Sequence, residues 1–119
     1  MKVIQFVPTL DSGGVEQGVL EMSRALVENN HESHVVSAGG RLVDQLIQNG
    51  THHHKWDLHK KNIFTFKHVK PLRKWIMSIN PDIVHVRSRM PAWIVWQALK
   101  GIPLNIRPSL VSTIHGLYS

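Results

Sequence analysis

Three short polar motifs in this chain each follow directly after an apolar, β-branched run. They are Gly13-Gly14, Arg87-Ser88-Arg89 and His115-Gly116. A glycine turn lets a ligand approach the backbone, guanidinium groups bind carboxylates and phosphates, and an imidazole donates a hydrogen bond to a substrate or acts as a general base. If the preceding runs are parallel strands, the motifs meet at the carboxyl edge of one sheet, where open α/β folds bind ligands.

The glycine turn has two equal interpretations. The helix expected after Gly14 offers unpaired N–H groups and a positive dipole end to an anion, and Glu16 in its first turn favours that helix electrostatically. The spacing of Gly13, Gly14 and Gly18 is not that of the dinucleotide fingerprint, and no Gly-Lys-Ser/Thr follows as in a P-loop. The turn is therefore consistent with an anion site and with a tight strand-to-helix connection that binds nothing.

The arginine pair favours a binding site more clearly. Arg87 and Arg89 place two guanidinium groups at the end of a strand, and their forked donors match carboxylate and phosphate oxygens. Surface ion pairs are the alternative, but the position at a predicted ligand crevice favours binding. His115 also follows a strand, and Gly116 permits a sharp turn after it, although a lone loop histidine is more often an ordinary polar residue.

A histidine run at His52-His53-His54, with His59 nearby, invites a metal-site interpretation. Successive side chains of a strand alternate between its two faces, so adjacent histidines do not converge on one ion. The chain has no cysteine and offers no well-spaced acid to complete a ligand shell. We therefore predict no metal site.

The elements that must position these residues alternate between strand and helix. Strands are predicted at residues 2–7, 33–37, 51–58, 82–86 and 110–114, and helices at 15–27, 42–48, within 62–79 and at 91–99. This alternation predicts an α/β fold, a Rossmann-like, doubly wound parallel sheet with strand order 3-2-1-4-5. Strands one and four are then neighbours, so the loops after them, 8–14 and 87–90, frame a crevice with His115 beside it.

Composition indicates one domain of an ordinary globular protein. The 119 residues are 42% hydrophobic and 18% charged, and 14 Lys+Arg against 8 Asp+Glu give a net charge of +6. A basic concentration comprises Lys60, Lys61, Lys67, Lys70, Arg73 and Lys74. A solvated helix face is its default interpretation, contact with an anionic membrane comes second because aromatic residues lie beside it, and nucleic acid comes third.

No signal peptide or membrane-length apolar run is evident in the sequence. We therefore expect a cytoplasmic protein, free or in peripheral contact with the inner face of the membrane. We expect no nucleic-acid partner, because the basic residues are not organised around any of the three motifs and no nucleic-acid module accompanies them.

The ordered set of motifs resembles a known family. The runs are PTLDSGGVEQG at 8–18, DIVHVRSR at 82–89 and TIHGLYS at 113–119. Together they are similar to the amino-terminal domain of family four of the retaining glycosyltransferases, in particular bacterial members that build lipopolysaccharide. The resemblance implies the two-domain GT-B architecture and transfer of a sugar from a nucleotide-sugar donor to a glycan or glycolipid acceptor, with retention and without metal or other cofactor.

The same resemblance implies roles for individual residues. Gly13-Gly14 matches the family's glycine loop near donor phosphates and acceptor, and His115 matches the active-site histidine that contacts the transferred sugar. Arg87 and Arg89 would hold the acceptor or an anionic group, and we place Glu16, Ser88 and Gly116 with the substrate-binding residues. Two local departures from the family pattern are Gln17 and Met90.

The large departure is length. The resemblance covers residues 1–119 as a partial acceptor-side domain, whereas in this family a carboxyl-terminal domain holds most donor contacts. We therefore expect that this chain alone does not catalyse transfer and that a separate chain could carry the donor domain. The alternative is a non-catalytic, Rossmann-like remnant that binds an anion or nucleotide.

Overall fold

A computed structural model describes residues 1–11, 14–58, 67–87 and 89–113 of the protein, with residues 89–91 described by backbone alone. Strands and helices alternate along this part of the chain. The strands are β1 Lys2–Phe6, β2 Glu32–Ser37, β3 His52–Lys55, β4 Ile83–Val86 and β5 Ser109–Ser112. The helices are α1 Gly14–Glu28, α2 Val43–Gln48, α3 Val69–Ile79 and α4 Arg89–Lys100.

The five strands form one parallel sheet in the order β3-β2-β1-β4-β5. The predicted Rossmann-like α/β fold and strand order are confirmed. The central strands are apolar on both sides because helices cover both faces of such a sheet. Phe6 of β1 pairs with Val36 on one side and Val86 on the other, so the carboxyl ends of the three central strands lie level.

Each face of the sheet has its own hydrophobic core. On one face α3 and α4 pack against β1 and β4, with Phe6 and Val84 from the sheet meeting Leu72 and Ile76 from α3. Leu72 and Ile76 are four residues apart and so lie on the same side of their helix. On the other face, α1 and α2 pack against the sheet through the residues Val7, Leu10, Val19, Leu20, Val35, Leu42 and Leu46.

The start of α3 agrees with the sequence prediction, whereas the start of α4 does not. Pro71 lies in the first turn of α3, where its missing N–H is not needed, as predicted. The α4 boundary was predicted too late: this helix begins at Arg89 rather than at Pro91. A proline in the first turn is compatible with a helix that starts two residues earlier, so Arg89 belongs to the helix and not to the loop.

The third and fifth strands are shorter than predicted. β3 ends at Lys55, although the backbone N–H of Trp56 still donates to Ser37 O at 2.8 Å. β5 spans Ser109–Ser112 instead of 110–114, and Ile114 lies outside the described residues.

The basic concentration divides into two kinds of residue. Lys67, Lys70 and Lys74 are exposed, as both a solvated face and a membrane contact require, while Lys60 and Lys61 lie outside the described residues. Arg73 points instead at the carboxyl end of α4. Its Nε donates to Ala98 O at 2.8 Å and its Nη2 donates to Gln97 O at 3.2 Å.

Gly101 provides the space for the Arg73 guanidinium, because a Cβ built there would overlap it. The last carbonyls of a helix have no partner within the helix. Arg73 donates to two of them, Gln97 O and Ala98 O, the second of which also accepts from Gly101 N at 3.3 Å. Arg73 is therefore a structural link from α3 to α4.

Among the helices of the described part of the chain, none has the length and apolar character needed to cross a membrane.

Candidate functional site

The carboxyl edge of the sheet brings α1 next to the end of β4. Gly14 is the first residue of α1 and is exposed, and no described atom lies within 4 Å of a Cβ built on it. The first N–H groups of a helix have no partner within the helix, so α1 begins here with donors of that kind. Glu16 lies in the first turn of α1, as predicted.

The segment that leads to the glycine turn is held by the loop after β2. Three backbone hydrogen bonds join the two loops: Ala38 N to Pro8 O at 2.9 Å, Leu10 N to Gly39 O at 2.9 Å and Leu42 N to Leu10 O at 2.8 Å. Because Leu10 is bonded through both its N–H and its carbonyl, the chain enters the glycine turn from a defined position.

Gly40 makes this close contact between loops possible. Its φ is +149°, and a Cβ built there would overlap the Leu10 backbone and lie 2.8 Å from the Asp11 nitrogen. A residue with a Cβ would therefore push the two loops apart. The sequence analysis assigned no role to Gly40, although a Gly-Gly pair after a strand is a signal for an unusual backbone.

Arg87 occupies the space between β4 and α1. Its backbone N–H continues the sheet by donating to Phe6 O at 3.0 Å, and its side chain turns toward the face that α1 covers. There Nε donates to Gln5 Oε1 at 3.2 Å, and a Cβ built on Gly18 would lie 3.4 Å from Nη1. The guanidinium thus lies beside α1, about one turn along from Gly14.

Arg87 is a half-buried cation that no described carboxylate neutralises. Burial lowers the pKa of its guanidinium, because a charged group loses favourable hydration there. Among the described residues, the one ion pair joins His34 to Glu32, at the other side of the sheet. Only Gln5 accepts a hydrogen bond from the Arg87 side chain within this part of the chain, so its terminal nitrogens have donors available for an anion.

Two buried residues behind Arg87 were missed by the sequence analysis. Gln5 and Ser23 are both fully buried, and Gln5 Nε2 donates to Ser23 Oγ at 3.1 Å. A signal for Gln5 does exist, since it is the one polar residue between Val3 and Val7. Its partners could not be read from the sequence because they lie 18 and 82 residues away.

The end of β5 lies beside Arg87. Val86 pairs with Ser112, and the next N–H, that of Thr113, donates to Val86 O at 2.9 Å. The Thr113 hydroxyl is 2.9 Å from His85 Nε2, within hydrogen-bond distance. Thr113, the last described residue before position 115, therefore lies next to the arginine along the sheet edge.

The predicted site residues fall into three groups. Gly14, Glu16 and Arg87 are described, and the structure places Arg87 against the helix that Gly14 begins. Arg89 is described by backbone alone, as the first residue of α4. The remaining predicted residues, Gly13, Ser88, His115 and Gly116, lie outside the described residues.

The histidine run lies at the opposite side of the sheet and alternates between faces, as expected. His53 Nε2 is 2.7 Å from Ser37 Oγ on the face of α1 and α2. On the other face the rings of His52 and His54 stack on His34, with centroids 4.9 Å and 5.3 Å away. Within the described ranges, no three His, Asp or Glu side chains are grouped in a way that could hold a metal ion.

A hydrogen-bonded chain runs through the stacked histidines. His34 Nε2 donates to Glu32 Oε2 at 2.6 Å, and His34 Nδ1 lies 3.1 Å from His54 Nε2. The hydrogen bond from His34 lowers the pKa of Glu32. Burial lowers the pKa of both His53 and His54, and charge on neighbouring groups lowers it further.

A five-stranded parallel sheet in the order β3-β2-β1-β4-β5, with helices on both faces, defines a Rossmann-like α/β domain, and Arg87 lies at the carboxyl edge of this sheet. Comparison with known proteins shows the family to which this domain belongs. The model of Glycosyltransferase Family 4 matches residues 12–119, and the chain therefore belongs to glycosyltransferase family 4.

The solved structures include a similar protein, a glycosyltransferase from Rickettsia africae ESF-5. The TM-score is 0.83 at 35% sequence identity, and the match covers 99% of this chain and 30% of that chain. The chain therefore spans about a third of the length of that enzyme. No curated protein matches the chain.

Proposed function

We propose that this chain is the acceptor-side part of a GT-B glycosyltransferase. In this proposal the complete enzyme transfers a sugar, with retention, from a nucleotide-sugar donor to an envelope glycan or lipid-linked acceptor such as lipopolysaccharide. The observation that carries the proposal is the half-buried Arg87, which faces α1 without a described carboxylate partner in a chain of glycosyltransferase family 4.

The proposed division of labour follows from charge and position. Arg87 binds an anionic group of the acceptor, a phosphate or a carboxylate, through its terminal nitrogens, because its guanidinium is half-buried and no described carboxylate neutralises it. The amino end of α1 at Gly14 supplies further N–H donors. His115 contacts the transferred sugar, and Gly13, Glu16, Ser88, Arg89 and Gly116 complete the substrate contacts. No metal is needed in this scheme, because the arginine and the helix dipole carry the positive charge.

Transfer requires the donor side as well. The matched enzyme is about three times as long as this chain, and we place the nucleotide-sugar contacts in a part that corresponds to its remainder. We propose that residues 1–119 by themselves do not catalyse transfer. Peripheral contact with the inner face of an anionic membrane would use the exposed lysines Lys67, Lys70 and Lys74.

The proposal is tested by reconstitution. The chain is mixed with a polypeptide that spans the part of the Rickettsia africae enzyme outside the match, and sugar transfer from a panel of nucleotide-sugars to phosphorylated glycolipids is measured. We expect no transfer by either polypeptide alone and transfer by the mixture. No transfer when both are folded, with donors and acceptors that the intact Rickettsia enzyme uses, would contradict a catalytic role and favour a non-catalytic anion-binding remnant.

The residue-level claim needs its own variant. Arg87→Met should lower the transfer rate by about 10- to 100-fold, because charged hydrogen bonds contribute roughly 1.5–3 kcal/mol. Arg24→Met, which changes an exposed arginine on α1, is the matched control and should leave the rate unchanged. Equal rates for the two variants would show that Arg87 does not bind the substrate.

A further inference from the structure

The buried pair Gln5 and Ser23 is unusual for the centre of a parallel sheet. Both side chains are fully buried, and Gln5 lies in β1, whose other residues after Lys2 are apolar. Burying an amide is unfavourable unless its hydrogen bonds are made, and an apolar residue of similar size would fill the same space without that requirement. Stability of the core alone therefore does not explain a glutamine at this position.

The hydrogen bonds of Gln5 lead outward to the candidate site. Its Nε2 donates to Ser23 Oγ at 3.1 Å, and its Oε1 accepts from Arg87 Nε at 3.2 Å. Arginine is only a donor, so the amide oxygen must face Arg87, whereas a serine hydroxyl can accept from the amide nitrogen. Both partners are therefore satisfied by a single orientation of the Gln5 amide, with Oε1 toward Arg87 and Nε2 toward Ser23.

Gln5 occupies one particular nitrogen of Arg87. With Nε engaged, the guanidinium plane is fixed and the terminal pair, Nη1 and Nη2, is left for a ligand. Gly18 of α1 borders the guanidinium, and a Cβ built there would lie 3.4 Å from Nη1, in van der Waals contact with it. An arginine that is already oriented loses less freedom when it binds an anion than one that is free to rotate.

We propose that Gln5 and Ser23 are positioning residues, a relay that runs from α1 through β1 and presents the Arg87 terminal nitrogens to the anionic group of the substrate. This inference rests on the proposed function of Arg87 as the anion-binding residue. It adds that the strength of binding is set by two side chains that never touch the ligand.

The test uses the whole chain and sulfate as the probe, since sulfate keeps one charge state across neutral pH. The dissociation constant of sulfate is measured by titration in two-dimensional NMR spectra, with the Arg87 Nε–H signal and its exchange with water as a second readout. We expect Gln5→Leu and Ser23→Ala to weaken sulfate binding, the former by roughly tenfold, which corresponds to the net value of about one hydrogen bond. We expect faster exchange of the Arg87 Nε–H in Gln5→Leu.

A matched control separates positioning from stability. Thr51 is buried and its hydroxyl donates to Ser33 Oγ at 3.0 Å, so Thr51→Val removes a comparable buried hydrogen bond away from Arg87. We expect this variant to lose stability and to bind sulfate like the wild type. Weakened binding in Thr51→Val equal to that in Gln5→Leu would show a general structural effect and overturn the inference.

A second variant separates orientation from charge. In Gln5→Glu the introduced carboxylate accepts from Arg87 Nε and from the Ser23 hydroxyl, so slow exchange of the Nε–H should be restored. Sulfate binding should remain weak at neutral pH, because the guanidinium is now neutralised. If Gln5→Leu does not fold, the Nε–H exchange of this variant together with sulfate binding by Ser23→Ala carries the test. Exchange in Gln5→Glu that is faster than in the wild type, or wild-type sulfate binding by Ser23→Ala, would contradict the relay.

The outcomes distinguish the inference from the proposed function. If Arg87→Met binds sulfate as tightly as the wild type, or if the wild type binds none, Arg87 is not an anion site. Both its proposed function and the relay are then wrong. If Arg87→Met weakens binding while Gln5→Leu and Ser23→Ala do not, only the relay is wrong.

Discussion

At the scale of single residues, the histidines of β2 and β3, on the far side of the sheet from Arg87, link protonation to folding. His34 donates through Nε2 to Glu32 and lies 3.1 Å from His54, so a neutral His34 accepts from His54 and a protonated one donates to it. The exposed Glu32 tolerates charge, whereas burial lowers the pKa of His53 and His54. These two imidazoles are therefore favoured in their neutral form by folding.

We expect the free energy of unfolding to decrease as the pH falls below about 6.5, the ordinary pKa of histidine. The unfolded chain binds protons at His53 and His54 more readily than the folded one, so their contribution is complete above that pH and is lost toward the lowered folded pKa values. Urea unfolding between pH 8 and pH 5 measures the slope. The free energy of unfolding at pH 8, where these histidines are neutral, is subtracted for each variant so that only the pH dependence is compared.

His54→Gln should flatten this pH dependence, and the double variant with His53→Gln should flatten it further. A slope as steep as that of the wild type in the double variant would show that other groups control the acid sensitivity. The lowered pKa of Glu32 acts in the same direction at lower pH, because a carboxylate stabilised by His34 is lost on protonation.

At the scale of elements, the loop after β2 serves as the support of the glycine turn. Leu10 is bonded on both sides to that loop, and the overlap expected at Gly40 shows how little space separates them. The position of Leu10 and Asp11, which precede the glycine turn, thus depends on the loop after β2.

Gly40→Ala should destabilise the fold by about 2 kcal/mol or more, since it adds a steric overlap to an unfavourable positive φ. It should also shift the amide signals of α1 near Gly14. Gly39→Ala is the matched control, because its φ is +110° but its nearest neighbour is Lys55 Cε at 4.0 Å. Equal losses in both variants, measured by urea unfolding, would attribute the effect to φ alone.

At the scale of the whole molecule, two cores share one sheet. The tryptophans report on only one of them, since Trp56 and Trp75 pack against the core of α3 and α4, and Trp93 and Trp96 lie on α4. Leu46 of α2 is fully buried in the other core. Tryptophan fluorescence therefore tests whether the two layers unfold together.

Leu46→Ala should lower the free energy of unfolding by about 2–5 kcal/mol, the usual loss for a truncated core leucine. Because β2 contributes Val36 to one core and Val35 to the other, the fluorescence and circular dichroism transitions should move together. The adjacent Ile47, which is 56% exposed, supplies the control, and Ile47→Ala should change stability by less than about 1 kcal/mol. A fluorescence transition that stays at the wild-type midpoint would mean that the layers unfold separately.

Sequence patterns predicted the fold well because its rules are local. Buried strands alternate with amphipathic helices, and right-handed crossovers leave few sheet orders, so the arrangement around β1 and β4 could be deduced. The start of α4 was misplaced because Pro91 fits the first turn of a helix as well as its first residue.

The support of the candidate site was beyond sequence reasoning. The bond from Arg87 to Gln5 and the contact of Gly40 with Leu10 join residues far apart in the chain, and no periodicity reports such pairs. The sequence located Arg87 at the correct edge, but only the packing shows that a buried glutamine holds it.

The link between α3 and α4 has a consequence for how this protein can change over generations. The Arg73 guanidinium fills the space that a missing Cβ leaves at Gly101. Any larger residue at position 101 expels the arginine and uncovers the α4 carbonyls, whereas a shorter residue at position 73 leaves room that alanine at 101 could occupy. The two positions should therefore be inherited as a pair, and related chains that lack one partner should lack the other.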